Sequence, residues 1–416
     1  MAYVLARAGY SSEVAVVVGP RILQGVALGP GFLEHQSLWP DPPRLDGQAL
    51  TRLVAHAGIL GRGGAGFPLA RKLETAIASG RRRSVVVNAS EGEPASAKDS
   101  ALMTTVPHLV LDGAEIVALA LGADGVEVVV PGDRPAVSAA VDEAVAERAG
   151  GDVEMYVTQT TATFLGGQSR SVVELLDGRE NLPVTSWVPE AVKGVGGRPT
   201  LLSNAETFAQ VAALVALGTE RYAALGTRDE QGTTLLTVAG GGPGGVVLEV
   251  PFGVGVAEVL TYCGFPADTP VLMGGYHGVW LPAERVRDRR ISRPDLAQVG
   301  ASLGAGVVLP VDAGACPVVL TAQIVTYLAT RAARRCGPCR NGLPALAEAV
   351  TLLASGGSPA AADRSLDLAD LVDGRGACAH PDGTARLVRS LFTAFPREVE
   401  AHERSMCAVA AGYPAA

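Results

Sequence analysis

The sequence lacks the features that would mark a membrane or a secreted protein. No segment of its 416 residues reaches the roughly 18 uninterrupted apolar residues of a membrane-spanning helix, and polar residues interrupt the nearest candidate, residues 317–329. The first residues lack the basic-then-apolar order of a secretory signal. The 6 cysteines are too few for a disulfide framework in a protein of this length. We therefore expect a cytoplasmic protein without direct membrane insertion, whose cysteines serve a metal or a redox group. Membership of a membrane-associated complex stays open.

Charge is also scarce. Charged residues make up 18% of the sequence and the net charge is −8, which argues against nucleic acid as a partner. Only 3 of the 34 basic residues are lysine. Hydrophobic residues account for 48%, enough for a sizeable core. At about 100–200 residues per domain, the length predicts two to four domains.

Glycine and proline, 51 and 27 residues, separate segments of different pattern. Residues 1–48 have few periodic runs and are interpreted as an N-terminal arm. Residues 49–230 alternate strands with helices, which predicts a parallel sheet with right-handed crossovers. Residues 231–300 hold short strand-like runs and predict a small α+β domain. Residues 315–405 predict a four-helix bundle, with helices over 317–334, 342–355, 364–373 and 383–401. The predicted fold class is multidomain: α/β, then α+β, then all-α.

The first motif is a glycine-rich loop, Gly-Arg-Gly-Gly-Ala-Gly-Phe-Pro, over residues 61–68. Its glycines let the backbone approach a ligand closely, and a following helix would add its positive N-terminal end. This arrangement suits a phosphate or a flat cofactor, with Lys72 placed to meet a phosphate. The same glycines could form an ordinary flexible loop, so the motif alone leaves both interpretations open.

The second motif is a polar string, Asn-Ala-Ser-Glu-Gly-Glu-Pro, over residues 88–94. It follows a predicted strand, 84–89, and α/β sheets place ligands at the carboxyl ends of their strands. Asn88 and Ser90 could hydrogen-bond the edge of a heterocycle, and Glu91 and Glu93 add negative charge. The alternative is a helix N-cap with acidic residues in the first turn.

The third motif combines a Cys-Gly-Pro-Cys turn, Cys336 to Cys339, with a distant Cys378 and His380. Such a turn presents two thiolates to one metal, and a third cysteine can complete an iron–sulfur or zinc corner. A redox dithiol is the first alternative, although that motif normally follows a strand and this segment is predicted to be helical. Unreactive thiols are the second alternative.

Together these motifs make the sequence resemble the flavin-binding subunit of respiratory NADH–quinone oxidoreductase and its hydrogenase and formate dehydrogenase relatives. The resemblance runs from about residue 49 to 400. Further motifs that carry it are Lys98-Asp99, Pro107-His108-Leu109, and Gly197–Thr200 with Asn204–Thr207. It implies a Rossmann-like FMN-binding domain over 49–230, a ubiquitin-like soluble-ligand-binding domain over 231–300, and a helical iron–sulfur domain over 315–405.

The resemblance also implies roles for individual residues. The glycine-rich loop would line FMN, Lys72 would meet its phosphate, and the polar string would edge its ring system. The residues it assigns to FMN are Gly61, Arg62, Gly63, Gly64, Gly66, Lys72, Asn88, Ser90, Glu91, Gly167, Asn204 and Thr207. Those it assigns to a [4Fe–4S] cluster are Cys336, Cys339 and Cys378.

The sequence departs from the family pattern where the nicotinamide nucleotide would bind. The family's Gly-Glu-Glu-Thr string is Gly167-Gln168-Ser169-Arg170 here, so both acids are missing. Its Lys-Pro-Pro-Phe-Pro string is unmatched in Leu182–Pro189. In the flavin-binding loop, the family's usual Asp is replaced by Ser90, which weakens one hydrogen-bond anchor without removing the site. We therefore expect FMN binding to be retained and direct binding of NAD(H) to be impaired.

The cluster motif departs as well. The first of the family's three closely spaced cysteines is Ala333 here. The fourth ligand could be His380, a solvent molecule, or none in a [3Fe–4S] cluster. Cys316 is a poor candidate, because a helix over 317–334 would hold it about 25 Å away. Cys263 and Cys407 are interpreted as core residues.

Three functions remain open on these grounds. The first is an FMN and iron–sulfur flavoprotein that relays electrons between flavin and ferredoxin or another redox protein. The second is an NAD(P)H dehydrogenase with an altered nucleotide site, in which Arg170 meets a 2′-phosphate. The third is a non-catalytic binding relative. Five arginines near the cysteines favour an acidic protein partner: Arg331, Arg334, Arg335, Arg340 and Arg375. The alternative for the first three is that they complement the dipole at the end of a helix.

Overall fold

The computed structural model describes residues 3–7, 13–80, 82–240, 245–312, 314–356, 358 and 360–407. The protein divides into two compact units, Met1–Val254 and Gly255–Ala416. The boundary falls inside residues 231–300, the segment predicted as one small domain.

The described residues of the first unit form eight strands and eight α-helices. The strands are β1 Tyr3–Arg7, β2 Glu13–Val17, β3 Ser84–Asn88, β4 Gly125–Pro131, β5 Glu154–Thr160, β6 Thr200–Asn204, β7 Thr233–Val238 and β8 Val246–Pro251. The helices are α1 Phe32–Leu38, α2 Gly47–His56, α3 Leu69–Ser79, α4 Lys98–Thr105, α5 Pro107–Leu121, α6 Pro135–Ala146, α7 Ser169–Leu176 and α8 Ala205–Ala223.

A four-stranded parallel sheet organises this unit, in the order β5-β4-β3-β6. The central strand β3 carries Val85, Val86 and Val87, all fully buried. A continuous apolar run of this kind is typical of a parallel strand covered on both faces. The predicted parallel sheet is thus confirmed, and β3 ends within one residue of the predicted strand, 84–89.

Helices α5 and α8 pack together beside this sheet. Helix α5 begins with Pro107 and ends where Gly122 adopts a left-handed φ of 61°, in keeping with the preferences of helix ends. Gly113 allows the two helices to approach closely, because a Cβ there would overlap the carbonyl oxygen of Phe208. The position of α8 is therefore fixed by backbone contact.

The predicted arm, residues 1–48, includes two strands that the sequence analysis did not predict. Strand β1 pairs with β2 in antiparallel fashion, β2 pairs with β8 in parallel, and β7 pairs with β8 in antiparallel fashion. Val14 and Val16 of β2 are buried. These β-branched residues supply the apolar side chains that a strand requires.

The second unit contains short strands and a helical region. Its described strands are β9 Val271–Met273, β10 Val279–Leu281 and β11 Val307–Pro310, with β9 pairing antiparallel to both others. Its described α-helices are α9 Val256–Tyr262, α10 Ala283–Val286, α11 Arg293–Ala297, α12 Pro317–Thr330, α13 Leu343–Ala354, α14 Ala361–Val372, α15 His380–Ala394 and α16 Pro396–Glu403.

Two predicted helices differ from the structure. The helix predicted over 383–401 is two helices, α15 and α16. Phe395 leaves the helical region with φ −132° and ψ 53°, and Pro396 starts the next helix, since proline cannot continue an α-helix hydrogen-bond ladder. The helix predicted over 317–334 ends at Thr330, and Arg334 has a left-handed φ of 55°. The predicted four-helix segment therefore contains five α-helices within the described residues.

Among the described residues, no single helix has both the length and the apolar character needed to cross a membrane.

Candidate functional site

The carboxyl ends of β3 and β6 bring two of the sequence motifs together. Asn88 and Asn204, the last residues of these adjacent strands, are direct partners in the strand register. Asn204 caps α8, since its side-chain oxygen accepts a hydrogen bond from the Glu206 N–H at 3.1 Å. Its amide nitrogen donates to the Asn88 carbonyl at 3.3 Å. The polar string and the Asn204–Thr207 motif thus share one edge of the sheet.

The glycine-rich loop lies against the same edge. The Arg62 N–H donates to the Thr207 hydroxyl at 3.0 Å. A Cβ on Gly63 would lie 3.4 Å from the Cβ of Asn204. The middle of the loop is exposed at residues 63–65. Two loop glycines have positive φ, Gly64 at 104° and Gly66 at 60°, a conformation that other residues rarely adopt.

The Arg62 side chain does not face this exposed surface. It is 6% exposed, donates to the Thr233 carbonyl at 3.1 Å, and lies 3.5 Å from a Glu206 carboxylate oxygen. Its guanidinium also stacks on the Phe252 ring, 4.7 Å from the ring centre. Any contact from Arg62 to a ligand would therefore involve its backbone.

Asn88, Ser90 and Gly167 form a second contact at this edge. The Asn88 amide donates to the Gly167 carbonyl at 2.8 Å, and its oxygen accepts from the Ser90 hydroxyl at 2.5 Å. A Cβ on Gly167 would overlap the Ser90 hydroxyl oxygen. Glycine at 167 therefore permits this close approach. A serine at 90 still hydrogen-bonds Asn88, although it replaces the aspartate of the family pattern.

The Glu91 carboxylate is also buried, and its oxygens accept hydrogen bonds within the protein. It accepts hydrogen bonds from the Ser96 hydroxyl, the Asp99 and Ser100 N–H groups, and Arg134, at 2.6–2.9 Å. Glu91 itself has a left-handed φ of 40°, which is unfavourable for a residue with a Cβ. The expectation of a Glu91 side-chain contact to the ring system therefore does not match this arrangement. Its backbone remains beside the end of β3.

Arg134 is a functional candidate that the sequence analysis missed. It is 8% exposed, and it also donates to the Ser100 hydroxyl at 2.6 Å. It follows strand β4, which is adjacent to β3 in the sheet. Because parallel strands end at the same edge, an arginine three residues beyond β4 could have been expected near Glu91.

A buried charge network lies behind Asn204. The Lys98 ammonium is 2.6 Å from an Asp99 oxygen, 3.0 Å from the Asn204 side-chain oxygen, and 3.2 Å from Glu206. Burial lowers the pKa of Lys98, but the carboxylates of Asp99 and Glu206 outweigh it and raise that pKa above its ordinary value. Burial raises the pKa of Asp99 to about 6 despite the lysine. The network holds Asn204 in place through charge-assisted hydrogen bonds.

Lys72 lies in the first turn of α3, directly after the glycine-rich loop. Its ammonium donates to the Leu202 carbonyl at 2.9 Å, and burial lowers its pKa. The helix has no side-chain N-cap and no acidic residue in its first turn. An exposed glycine loop, an uncapped helix start and a lysine are a donor set that fits a phosphate. This end of the sheet therefore fits FMN, with Lys72 and the loop amides at the phosphate.

The altered nucleotide string begins helix α7. Gln168 is the N-cap residue of that helix and makes no side-chain capping hydrogen bond. Arg170 forms an ion pair with Glu190 at 3.0 Å and donates to the Lys193 carbonyl at 3.4 Å. A 2′-phosphate would have to compete with Glu190 for this arginine.

In the second unit, Cys336 and Cys339 lie between α12 and α13, and the third motif cysteine, Cys378, lies just before α15. Cys339 lies in a single π-helical turn, Pro338–Gly342, a feature that often marks functional sites. The Cys336 sulfur is desolvated, yet N–H groups of Ala377 and Cys339 and the Cys339 thiol lower its pKa. Burial and the neighbouring Cys336 and Cys378 sulfurs raise the pKa of Cys339 to about 12. The three sulfurs thus share one environment, which fits an iron–sulfur cluster because bound iron would stabilise their thiolates.

His380 is held by hydrogen bonds on both ring nitrogens. Its Nε2 lies 2.9 Å from the Leu328 carbonyl, and its Nδ1 lies 3.0 Å from His277 Nε2. The residue is fully buried. This geometry argues against His380 as the fourth cluster ligand, since either nitrogen would have to leave its present partner.

The arginines of the predicted docking surface are at least partly exposed. Arg331 lies over the Tyr327 ring at 5.6 Å, and Arg375 donates to the Leu371 carbonyl at 3.1 Å. Both contacts leave the positive charge at the surface. The arginines of this surface are Arg331, Arg334, Arg335, Arg340 and Arg375.

Two known families match this sequence, one in each unit. Residues 54–213 match the family described as the Nuo51 FMN-binding domain. Residues 319–402 match the NADH-ubiquinone oxidoreductase-F iron-sulfur binding region. The first match contains the glycine-rich loop and both asparagines, and the second contains the three motif cysteines.

Individual relatives cover most of the sequence. The F subunit of NADH-quinone oxidoreductase from Mycobacterium tuberculosis is 30% identical over 376 residues, which are 84% of this protein and 83% of the relative. The HndC subunit of the NADP-reducing hydrogenase from Solidesulfovibrio fructosivorans is 28% identical over 369 residues, 84% of this protein and 75% of the relative.

The fold resembles that of a solved structure, an NAD+-reducing [NiFe]-hydrogenase in the H2-reduced state. The TM-score is 0.81 at 27% identity, over 92% of this protein. The alignment spans 66% of the length of that hydrogenase polypeptide.

Proposed function

The protein belongs to the family of the NADH-quinone oxidoreductase F subunits, and from this premise we propose that it relays electrons between flavin and a protein redox partner, with direct use of NADH impaired. It is an oxidoreductase whose cofactors are FMN and an iron–sulfur cluster. When bound, FMN exchanges electrons in pairs or singly, and the cluster passes them one at a time. Two observations together support the proposal. The groups at the carboxyl ends of β3 and β6 fit FMN, and the string Gly167–Arg170 lacks the two acids of the family pattern.

The residues at the sheet edge divide the work of holding FMN. The loop amides and Lys72 would bind its phosphate, and Asn88 would present its amide group to the edge of the ring system. The Asn204 side chain is fully hydrogen-bonded within the protein, so it would act by holding Asn88 and the start of α8 in place. Ser90 and Gly167 would keep Asn88 oriented through the hydrogen bonds described above. The side chains of Arg62 and Glu91 would act from behind, by fixing the loops that carry these groups.

The impaired use of NADH rests on Gln168 and Ser169, which replace the two acids of the family pattern. Anaerobic mixing of the purified protein with NADH, NADPH and reduced ferredoxin tests it. We expect slow or absent bleaching of the flavin by both nucleotides and rapid reduction by the protein donor. Rapid stoichiometric bleaching by micromolar NADH would contradict the proposal.

Two other functions are less well supported. An NAD(P)H dehydrogenase that uses Arg170 for a 2′-phosphate would have to break the Arg170–Glu190 ion pair. A non-catalytic relative would need neither the three clustered cysteines nor a lysine placed to bind a phosphate. A visible spectrum separates the third case, because only a redox protein shows flavin bands with a broad iron–sulfur shoulder.

The proposed partner is a small acidic redox protein such as ferredoxin. Its support is the arginine surface around Cys336 and Cys378 on a protein of net charge −8, since complementary charge steers association. Electron exchange should slow steeply between about 50 and 500 mM salt, as the Debye length falls from roughly 14 to 4 Å. The double variant Arg335→Glu/Arg340→Glu should lower the association rate while flavin and iron contents stay unchanged. A salt-independent rate would place the partner elsewhere.

The proposal also includes the domain boundaries and the cellular location of the protein. It assigns residues 49–230 to FMN binding, 231–300 to a ubiquitin-like domain and 315–405 to the iron–sulfur domain, in the cytoplasm. Limited proteolysis of the full-length holoprotein tests the first boundary, and cleavage near residue 230 that releases FMN would refute it.

A further inference from the structure

A second group of cysteine and histidine side chains lies in the second unit, apart from the motif cysteines. Cys316, His402 and Cys407 each offer one ligand atom, and these atoms all lie within 4.8 Å of one another. The Cys316 sulfur is 3.1 Å from His402 Nε2. Cys316 is 3% exposed and His402 2%, while Cys407 is half-buried. The expectation that Cys407 is an ordinary core residue therefore needs revision.

The surroundings of Cys316 favour its thiolate once a cation is present. Cys316 is the N-cap residue of α12, and the backbone N–H groups of Val319 and Val318 act to lower the pKa of its thiol, although its side chain makes no capping hydrogen bond. Helix starts stabilise thiolates in this way. Without a cation, burial and the nearby Cys407 sulfur raise the pKa of Cys316 to about 11. A bound cation would remove this penalty, because metal ligation deprotonates a thiol outright.

His402 presents its Nε2 to the Cys316 sulfur at 3.1 Å. Burial lowers the pKa of His402, and the backbone carbonyls of Ala354 and Leu353 only partly offset that effect. A lowered pKa favours the neutral imidazole, which is the form that binds a metal.

We propose that Cys316, His402 and Cys407 bind one zinc ion, in a site separate from the iron–sulfur cluster. Two sulfurs and one imidazole nitrogen are soft ligands that select zinc over magnesium or calcium. Zinc bonds of about 2.3 Å to sulfur and 2.0–2.1 Å to nitrogen, at tetrahedral angles, set ligand atoms roughly 3.5–3.8 Å apart. The observed spacing needs only small side-chain movements to reach this. The fourth position is left to solvent.

The zinc ion would join the two ends of the helical region. Cys316 precedes the first helix of that region, α12, and His402 lies in the last, α16. The 14 residues of α12 span about 21 Å and separate this site from the turn that bears Cys336. Loss of zinc should therefore leave the iron content of the protein unchanged.

Metal analysis of the full-length holoprotein tests the proposal. We expect one zinc per protein molecule after extensive dialysis without chelator. Cys316→Ser and Cys407→Ser should each lower zinc at least tenfold, with iron and flavin unchanged. Cys263→Ser is the matched control and should retain all its zinc. Zinc that persists in both Cys316→Ser and Cys407→Ser would overturn the proposal.

A second measurement needs no substitution. Alkylation by iodoacetamide, mapped by mass spectrometry, reports the accessibility of each thiol. Cys407 should react at least tenfold faster after zinc is removed with a chelator, while Cys263 should not change. Equal Cys407 rates before and after, or a Cys316–Cys407 disulfide in the untreated protein, would refute the zinc site. Because the readout is zinc and thiol reactivity, its failure is distinct from a failure to find flavin or iron.

Discussion

Replacement of Glu91 by alanine should strongly destabilise the first unit. The Glu91 carboxylate is buried, and it is the acceptor for Arg134, whose side chain is 9% exposed. Its removal leaves a buried guanidinium without its counter-charge and two N–H groups at the start of α4 without their acceptor. Breaking a buried ion pair by removing one partner costs about 3–5 kcal/mol. We expect Glu91→Ala to lower the free energy of unfolding by that amount.

A short series separates the charge from the backbone. Glu91→Gln keeps the shape and part of the hydrogen bonding, so its loss should be smaller than that of Glu91→Ala. Glu91→Gly also lacks the carboxylate but relieves the left-handed φ of 40°. That conformation costs a residue with a Cβ about 1–2 kcal/mol. Glu91→Gly should therefore be more stable than Glu91→Ala by roughly this amount.

Urea denaturation followed by flavin fluorescence and by circular dichroism measures the series. Asp152→Asn serves as the control, because it removes the Arg44–Asp152 ion pair at 72% and 53% side-chain exposure. Exposed pairs contribute about 0–1 kcal/mol. If Glu91→Ala costs no more than Asp152→Asn, the carboxylate does not hold this edge of the sheet, and the reasoning fails.

Three further predictions concern other residues. Lys72→Ala should weaken FMN binding by about 1.5–3 kcal/mol, the value of a hydrogen bond to a charged group, as measured by equilibrium dialysis of FMN. An unchanged affinity would show that Lys72 does not contact the phosphate. Cys336→Ala should lose its iron, whereas Cys263→Ala should keep roughly three or four irons per protein molecule, as metal analysis would show; zinc and no iron at this motif would contradict the cluster. Burial lowers the pKa of His277 in the folded protein to about 3, whereas the value in the unfolded protein is near 6.5. The neutral, buried His277 therefore contributes to the stability of the fold above pH 6.5, and this contribution is lost as the pH falls towards 3, because the unfolded protein takes up the proton first. Acid titration of unfolding should show a shallower slope for His277→Gln, and an identical slope would exclude His277 as the cause.

The polar edge at the carboxyl ends of β3 and β6 is predictable from the sequence, because it depends only on parallel strands that each end in a polar residue. Asn88 and Asn204 each end an apolar run, and the carboxyl ends of parallel strands must meet. The inward turn of Arg62 could not be predicted in the same way. It depends on Thr233, 171 residues further along the sequence, and on Phe252, and both reach the loop only through tertiary packing.

Other differences have local causes that a pattern can miss. The apolar periodicity of residues 383–401 continues through Pro396, so the break at Phe395 does not interrupt the pattern. The proposed zinc site joins residues 86 apart, and neither its spacing nor its order matches a short motif. Cys316 and Cys407 therefore look like isolated thiols in the sequence.

The contact between Gly113 and Phe208 has a consequence for inherited or engineered variation. Thr207 and Phe208 are consecutive residues of α8, so one faces the glycine-rich loop and the next touches the backbone of α5. A single methyl group at position 113 would push α8 away and displace Thr207 and Asn204 with it. Such a variant would present as a flavin-deficient protein although the changed residue never meets the cofactor. Screens that attribute flavin loss only to residues near the ligand would misclassify it.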